Sequence, residues 1–189
     1  MEVVRNMKHT LILTVLLSLT VSAPLWAKGE MVLIEVTGAN LPTPIRISDP
    51  KIEAFTPWAG PGAPGGCNCP LNGAHTEGFI ADWHAGVVSP RAAQLTRGVQ
   101  HYEISFYEGC RTSNDWCTQK QPRMVYVVSY DYDPASPRGF VYLPGKGDAS
   151  YQLNIGTIWR RVEGNWFSAT ASWEEFIRPV IDKAITRSH

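Results

Sequence analysis

Short apolar runs that alternate with polar residues, separated by glycine, proline, asparagine and aspartate, dominate the chain. In the run 99–108, Tyr102, Ile104 and Phe106 alternate with polar neighbours, and a period of two is typical of a strand with one buried face. Six further runs are predicted as strands: 31–36, 44–48, 78–83, 123–133, 139–145 and 151–160. The run 123–133 should pair with 99–108 as an antiparallel hairpin.

Aromatic and aliphatic residues share one face in two of the predicted strands. In 123–133, three tyrosines share one face: Tyr126, Tyr130 and Tyr132. In 151–160, an apolar set shares one side: Tyr151, Leu153, Ile155 and Trp159. Alternate residues of a strand point to the same face, so each set is predicted to lie on a single side of its strand.

The C-terminus changes period, because its apolar residues recur at steps of three and four: Trp173, Phe176, Ile177, Val180, Ile181, Ala184 and Ile185. This spacing predicts an amphipathic helix. Ser172 and Glu175 fit a capping box, and Pro179 should bend the helix. Four charged residues are expected on the opposite face: Glu174, Arg178, Asp182 and Lys183. The predicted fold class is α+β, mainly an antiparallel sheet, sandwich-like or curved, with one C-terminal helix packed on it.

The stretch "FVYLPGKGDASY", residues 140–151, resembles a phosphate-binding glycine-lysine loop at first sight. A P-loop needs Gly, four residues and then Gly-Lys-Ser/Thr before a helix. Here Gly147 follows Lys146, and the next run looks like a strand. Gly145, Gly147 and Asp148 favour a turn, so we predict a hairpin tip with Lys146 in solvent.

Two segments are expected to be loops or insertions within one domain. The segment 56–77 is rich in glycine and proline, and the polar segment 109–122 separates two predicted strands. A short helical turn is predicted just before the first loop, with Asp49 as its cap and Pro50 at the first helical position.

The N-terminus is predicted to be a secretory signal peptide. Arg5 and Lys8 precede an uncharged apolar run that is too short for a spanning helix, and "PLWA", which ends at the small residue Ala27, follows it. Pro24 disfavours cleavage after Ala23, so Ala27 is the expected site. Residues 1–27 would then be removed from the 189-residue chain, leaving 28–189 as a single secreted or periplasmic domain without stable membrane insertion.

Charge excludes some partners. The chain has 17 basic and 17 acidic residues, which gives no basic field of the kind that nucleic-acid binding requires. Neutral small molecules, glycans and other proteins remain as partner classes.

Four cysteines follow the predicted signal peptide: Cys67, Cys69, Cys110 and Cys117. An oxidising compartment favours two disulfides, and four cysteines allow three pairings. Cys110–Cys117 would close the neck of the insert, whereas Cys67 and Cys69 either form a tight ring or reach across to it. A four-cysteine metal site, with His75 nearby, is the alternative, although the spacings miss the common zinc pattern.

Motifs of known catalytic chemistry are missing from the sequence. It contains no G-x-S-x-G and no H-E-x-x-H. His75-Thr76-Glu77 matches half of a zinc-deaminase pattern, but no P-C-x-x-C follows. No catalytic residue, metal ligand or cofactor site is therefore predicted.

Some polar residues could still contribute to a site. Asp131 and Asp133 resemble the start of a calcium loop that lacks its later ligands, so a strand end and turn are favoured. His84 and His101 stand alone, and a structural role is expected for each. Folding could still bring two carboxylates together.

Trp58 and Trp116 lie in the predicted loops, where an exposed aromatic side chain could stack on a sugar or anchor a protein contact. Burial against the domain is the competing interpretation for both. Two function classes follow: a secreted, non-catalytic binding or interaction domain with an unknown protein or glycan ligand, and a small cell-envelope hydrolase whose carboxylates or histidine are assembled by the fold.

Several segments resemble an uncharacterised family of secreted bacterial proteins: "TPIRISDP", "PWAGPG", "FVYLPGKGD" and "LNIGTIWRRVEGNWFSATASWEE". The resemblance covers most of the chain after the signal peptide, and the cysteine-bearing segments look like additions to it. It implies secretion and a single domain. It carries no activity, ligand or catalytic residue.

Overall fold

A computed structural model describes residues 30–38, 41–48, 60–62, 79–89, 98–109 and 121–187. The described residues form a sheet whose strands are β1 (Glu30–Gly38), β2 (Ile45–Ser48), β3 (Val87–Val88), β4 (Gln100–Gly109), β5 (Arg123–Tyr132), β6 (Phe140–Tyr142) and β7 (Trp166–Ser168). Two helices accompany it, α1 (Tyr151–Thr157) and α2 (Ala171–Thr186). The predicted α+β class is confirmed.

The strands follow the order β2-β1-β4-β5-β6-β7-β3, and every pair is antiparallel. The long pair β4–β5 lies at its centre, with Tyr102 opposite Tyr130 and Ile104 opposite Val128. The hairpin predicted from 99–108 and 123–133 is therefore confirmed. Side chains of directly opposite residues share a face, so the register also assigns each residue to one side of the sheet.

Helix α2 covers one face of the sheet. Trp173, Ile177 and Ile181 are fully buried, as the stripe of apolar positions predicts. The Trp173 ring packs edge-on against Tyr130, with 6.0 Å between ring centroids, and it also contacts Phe106. The helix continues through Pro179 to Thr186. Its apolar side thus closes the hydrophobic core against the tyrosine face of β5.

The cap of α2 differs from the prediction. Thr170, not Ser172, precedes the first helical residue, and its Oγ1 accepts a hydrogen bond from the Trp173 N–H at 3.1 Å. The same hydroxyl donates to the Phe79 carbonyl oxygen. Ser172 lies inside the helix and is exposed. The helix begins at the earlier residue because Thr170 links it to the chain around Phe79.

The predicted strand 78–83 is wrong. Its described residues make one isolated bridge, from Ala81 to Ala169, and then turn. Asp82 accepts hydrogen bonds from the backbone N–H groups of His84 and Ala85, both at 3.1 Å. A side-chain acceptor that satisfies the next residues' N–H groups ends strand pairing there.

The predicted strand 151–160 is also wrong, because Tyr151–Thr157 form helix α1. The Asn154 side chain accepts from the Val127 N–H at 2.8 Å and donates to the Val127 carbonyl at 2.7 Å. Thr157 donates to the Val125 carbonyl at 2.5 Å. Helical spacing puts these two side chains on one side, where they satisfy backbone groups of β5 beyond the end of its pairing with β6.

The glycine-lysine stretch is a turn, as predicted, although it joins a strand to a helix and is not a hairpin tip. The Asp148 N–H donates to the Gly145 carbonyl at 3.0 Å, and Gly147 has a φ of 110°. Lys146 is exposed. A Cβ at Gly145 would lie 2.5 Å from the Cα of Gly164, so close backbone approach requires that glycine.

Several predictions lie outside the described residues. These are the signal peptide 1–27, the helical turn at Asp49–Pro50, the loop 56–77 except 60–62, and most of the insert 109–122. The same holds for Trp58, Trp116, His75 and the four cysteines Cys67, Cys69, Cys110 and Cys117.

Candidate functional site

The side of the sheet that faces away from α2 carries an unusual mixture of polar and aromatic residues. Cross-strand register places Thr37, Glu103, Ser129, Tyr142, Trp166 and Val88 in one continuous row across six strands. A second row contains His101, Asp131, Phe140 and Ser168. We call these two rows the outer face. Most of its side chains are exposed or half-buried, so this side remains accessible to a ligand.

Tyr142 and Trp166 form an aromatic pair at one end of the outer face. Their ring centroids lie 5.0 Å apart with an interplanar angle of 34°, and both residues are half-buried. The Tyr142 hydroxyl donates to Asp148 at 2.8 Å, and the same carboxylate oxygen accepts from the Gly145 N–H at 2.7 Å. Burial and the neighbouring Asp148 carboxylate raise the pKa of Tyr142, so its phenol remains a hydrogen-bond donor. The turn at 145–148 thus fixes the ring in place.

His101 and Asp131 form the polar end of the outer face. The distance from His101 Nδ1 to Asp131 Oδ2 is 2.9 Å, and the histidine side chain is 69% exposed while that of the aspartate is 5% exposed. Burial raises the pKa of Asp131, and its bond to His101 opposes this shift. With Nδ1 donating to the carboxylate, the Nε2 atom of His101 is left to face a ligand or water.

The pairing of His101 with Asp131 was missed from the sequence. The two residues are 30 positions apart, and only the register of β4 against β5 brings them opposite one another. Asp133, the other half of the predicted strand end, accepts a hydrogen bond from the Ala135 N–H at 2.8 Å. This is a local turn, as the sequence favours.

A second polar cluster lies beneath α2, and it corrects the prediction that the charged residues of this helix face away from the sheet. Glu174 is buried and accepts from the Tyr130 hydroxyl and the Gly139 N–H, both at 2.7 Å. Arg178 pairs with Glu174 and donates to the Ser136 carbonyl at 2.6 Å.

The same cluster extends along the helix to Tyr132. Asp182 accepts from the Tyr132 hydroxyl at 2.8 Å, and the Arg178 guanidinium carbon lies 4.6 Å from the centre of the Tyr132 ring. Burial, and then the hydrogen bonds to Glu174 and Asp182, raise the pKa values of Tyr130 and Tyr132. The phenols are therefore fixed donors, and this cluster attaches the helix to the sheet.

Arg160 organises a third cluster. It is almost fully buried, with its guanidinium 5.2 Å from the Trp83 ring centre and 5.7 Å from that of Tyr126. Its Nη1 donates to the Pro61 carbonyl at 3.1 Å. Its backbone N–H donates to Glu163 at 2.6 Å. Arg160 thus connects the described part of the glycine- and proline-rich loop to the sheet.

Metal-binding side chains are not clustered among the described residues. No group of three or more His, Cys, Asp or Glu side chains among them is arranged to hold a metal ion. His84 is exposed in the Asp82 turn. No helix in this part of the chain combines the length and apolar character needed to cross a membrane.

Comparisons with known proteins return no match: no family model fits the chain, and no curated protein or solved structure is significantly similar to it. The resemblance to secreted bacterial proteins stays a prediction, and a functional argument depends on the site itself.

Proposed function

We propose that this protein is an exported, non-catalytic binding domain that holds a neutral glycan on its outer face. The Tyr142–Trp166 pair is the observation that carries the proposal. The C–H face of a sugar ring is apolar and packs on an aromatic ring, while its hydroxyl groups need hydrogen-bonding partners beside that ring. The outer face supplies both kinds of surface.

The row next to the aromatic pair fits this chemistry. Ser129 lies opposite Tyr142, and Glu103 lies opposite Ser129 on the next strand. At about 4.8 Å per strand, the row from Glu103 to Trp166 extends about 14 Å, which suits an oligosaccharide of a few residues. Ser129 can donate or accept, and Glu103 accepts.

Charge favours a neutral ligand over an anionic one. Within its two rows the outer face carries two carboxylates, Glu103 and Asp131, and one basic side chain, His101, which is already paired with Asp131. A sugar acid placed there would meet like charges, which disfavours binding.

The test is calorimetric titration of the purified protein with a panel of neutral oligosaccharides. Trp166→Ala should weaken the binding of the best ligand by about tenfold or more, because an aromatic anchor is removed. Tyr142→Phe keeps the ring but loses the bond to Asp148, so a smaller effect is expected. Val87→Ala is the control, since it removes an exposed apolar side chain that the register places on the other side of the sheet. Equal affinities of the wild type and Trp166→Ala would contradict the proposal, as would a panel without any ligand.

One observation favours a second candidate, a small cell-envelope hydrolase. The buried Asp131 orients the exposed His101, which is how a general base is held in many hydrolases. Its Nε2 could take a proton from an attacking water. Screening with chromogenic esters and glycosides tests this candidate: hydrolysis that is lost in both His101→Gln and Asp131→Asn would favour it over the binding domain.

Export is part of the proposal, and it rests on the N-terminal signal pattern. Protein recovered from the periplasm or medium should begin at Lys28. N-terminal sequencing that still found residues before Ala27 would argue against cleavage at this site.

A further inference from the structure

Two side chains, Trp159 and Arg161, project from the connection between α1 and β7. Trp159 is 57% exposed, and the guanidinium carbon of Arg161 lies 5.2 Å from the centre of its indole ring. Burying a large apolar side chain stabilises a fold, and the exposed Trp159 forgoes most of that stabilisation. The sequence pattern places Trp159 on one side of a predicted strand together with Tyr151, Leu153 and Ile155, and the structure places it in solvent.

The backbone that carries these two side chains is rigid. Ile158 and Val162 belong to the hydrophobic core, and Arg160, between the two projecting residues, is buried. A Cβ at Gly62 would lie only 2.3 Å from the Trp159 carbonyl oxygen, so the chain around Pro61 packs directly on this backbone. The projecting pair is therefore held by buried neighbours on both sides.

Arg161 has a strained backbone. Its φ is 65°, and it is the only non-glycine residue with positive φ in the described part of the chain. The left-handed conformation is unfavourable for a residue with a Cβ atom. Within the same part of the chain, no carboxylate pairs with its guanidinium, which contacts the Trp159 ring instead. Strained backbone of this kind clusters at functional sites, and a cation over an exposed aromatic ring is a surface that a ligand can contact.

We infer that Trp159 and Arg161 form a binding site for an anionic sugar residue, separate from the outer face. The exposed part of the indole offers an apolar surface to a pyranose ring, and the guanidinium beside it offers paired N–H donors to a carboxylate. The site is two side chains wide because residues 158, 160 and 162 point inward. One monosaccharide fits that width, whereas a stable protein partner needs about 800 Å² on each side.

The test is titration of the purified protein with a trimer of galacturonic acid, followed by calorimetry and tryptophan fluorescence. The fully methyl-esterified trimer is the matched neutral ligand, and oligoglutamate represents an acidic peptide. The free-acid trimer should bind saturably and lose affinity at high salt. Arg161→Gln and Trp159→Ala should each weaken it by about tenfold or more. Lys146→Ala removes another exposed cation and should leave its affinity unchanged.

Arg161→Gly separates binding from stability. Glycine adopts positive φ freely, so this variant should melt at the same or a higher temperature while it loses the trimer. A lower melting temperature with unchanged trimer affinity would overturn the inference. The same holds if the trimer fails to bind, if its methyl ester binds equally well, or if oligoglutamate binds more tightly. Because Trp166→Ala leaves this site intact, failure of the outer-face proposal is distinguishable from failure here.

Discussion

Replacing Glu174 with glutamine removes a single charge from beneath α2 and should destabilise the protein severely. Glu174 uses one carboxylate oxygen for the Gly139 N–H and the other for the Tyr130 hydroxyl and Arg178. An amide has one oxygen, and its NH₂ group would face one of these donors. The change therefore breaks at least one hydrogen bond and leaves Arg178 without its counter-charge.

The size of the effect follows from burial. The side chains of Glu174 and Arg178 are only 8% and 17% exposed, so solvent screens their interaction weakly. Breaking a buried pair by removing one partner costs about 3 to 5 kcal/mol. A domain of this size loses about 2 to 4 °C in melting temperature for each kcal/mol. Because folded domains have about 5 to 15 kcal/mol of stability in total, Glu174→Gln should remove at least about a fifth of it.

Urea denaturation followed by far-UV circular dichroism measures this loss. Glu175→Gln is the matched control, since Glu175 is the next residue of the same helix and is exposed, and its effect should stay within about 0.5 kcal/mol. Adding Arg178→Met to Glu174→Gln should recover part of the loss, because the unpaired buried cation is then gone. A Glu174→Gln midpoint equal to that of the control would refute the reasoning and show that the cluster contributes nothing net.

Three further predictions concern pH, the turn and the C-terminal helix. Burial raises the pKa of Asp131, so the folded state binds this proton more tightly than the unfolded state, and stability is lost as the pH rises from about 4 through the raised pKa. Asp131→Asn should gain stability relative to the wild type over that window, and parallel urea curves at all pH values would contradict this. Lys146→Ala should change stability by less than about 0.5 kcal/mol. Gly147→Val should cost about 1 kcal/mol or more, because a β-branched residue is strained at the φ of 110° there. The added side chain would meet no other atom, so the whole cost should come from the backbone. Equal melting temperatures of Lys146→Ala and Gly147→Val would argue against a strained turn. A chain that ends at Gly164 loses the fully buried Trp173, Ile177 and Ile181 and should not show a cooperative melt by circular dichroism. A melt like that of the full chain would show that α2 is an appendage.

The sheet and the final helix could be predicted because local pattern and tertiary environment agree there. In 99–108 the alternation of Tyr102, Ile104 and Phe106 places all three in the core, as they are in the structure. The stripe of Trp173, Ile177 and Ile181 has the helical period and packs on the sheet accordingly. Strong periodicity fixes both the type of element and the face that it buries.

Helix α1 could not be predicted because the contacts that favour a helix there are made with a distant strand, β5. The run 151–157 alternates like a strand, yet Asn154 satisfies the N–H and carbonyl of Val127 only if the segment is helical. Similarly, Glu174 looks like an ordinary solvent-facing charge, and its burial depends on Tyr130, 44 residues away. Long-range polar partners of this kind leave no mark on local spacing, so single-sequence reasoning misses them.

Strand β5 presents its helix contacts on one side of the sheet and the proposed glycan surface on the other. Tyr130 and Tyr132 point toward α2 and hold its polar residues, whereas Ser129 and Asp131 point to the outer face. Changes on the helix side should thus lower the melting temperature while leaving glycan affinity intact in the protein that remains folded. Changes at Trp166 should lower the glycan affinity while leaving the melting temperature nearly unchanged. A variant such as Glu174→Gln that lost glycan affinity in proportion to its stability would show that the outer face depends on the seating of α2, and the two sides of the sheet would then act as one unit.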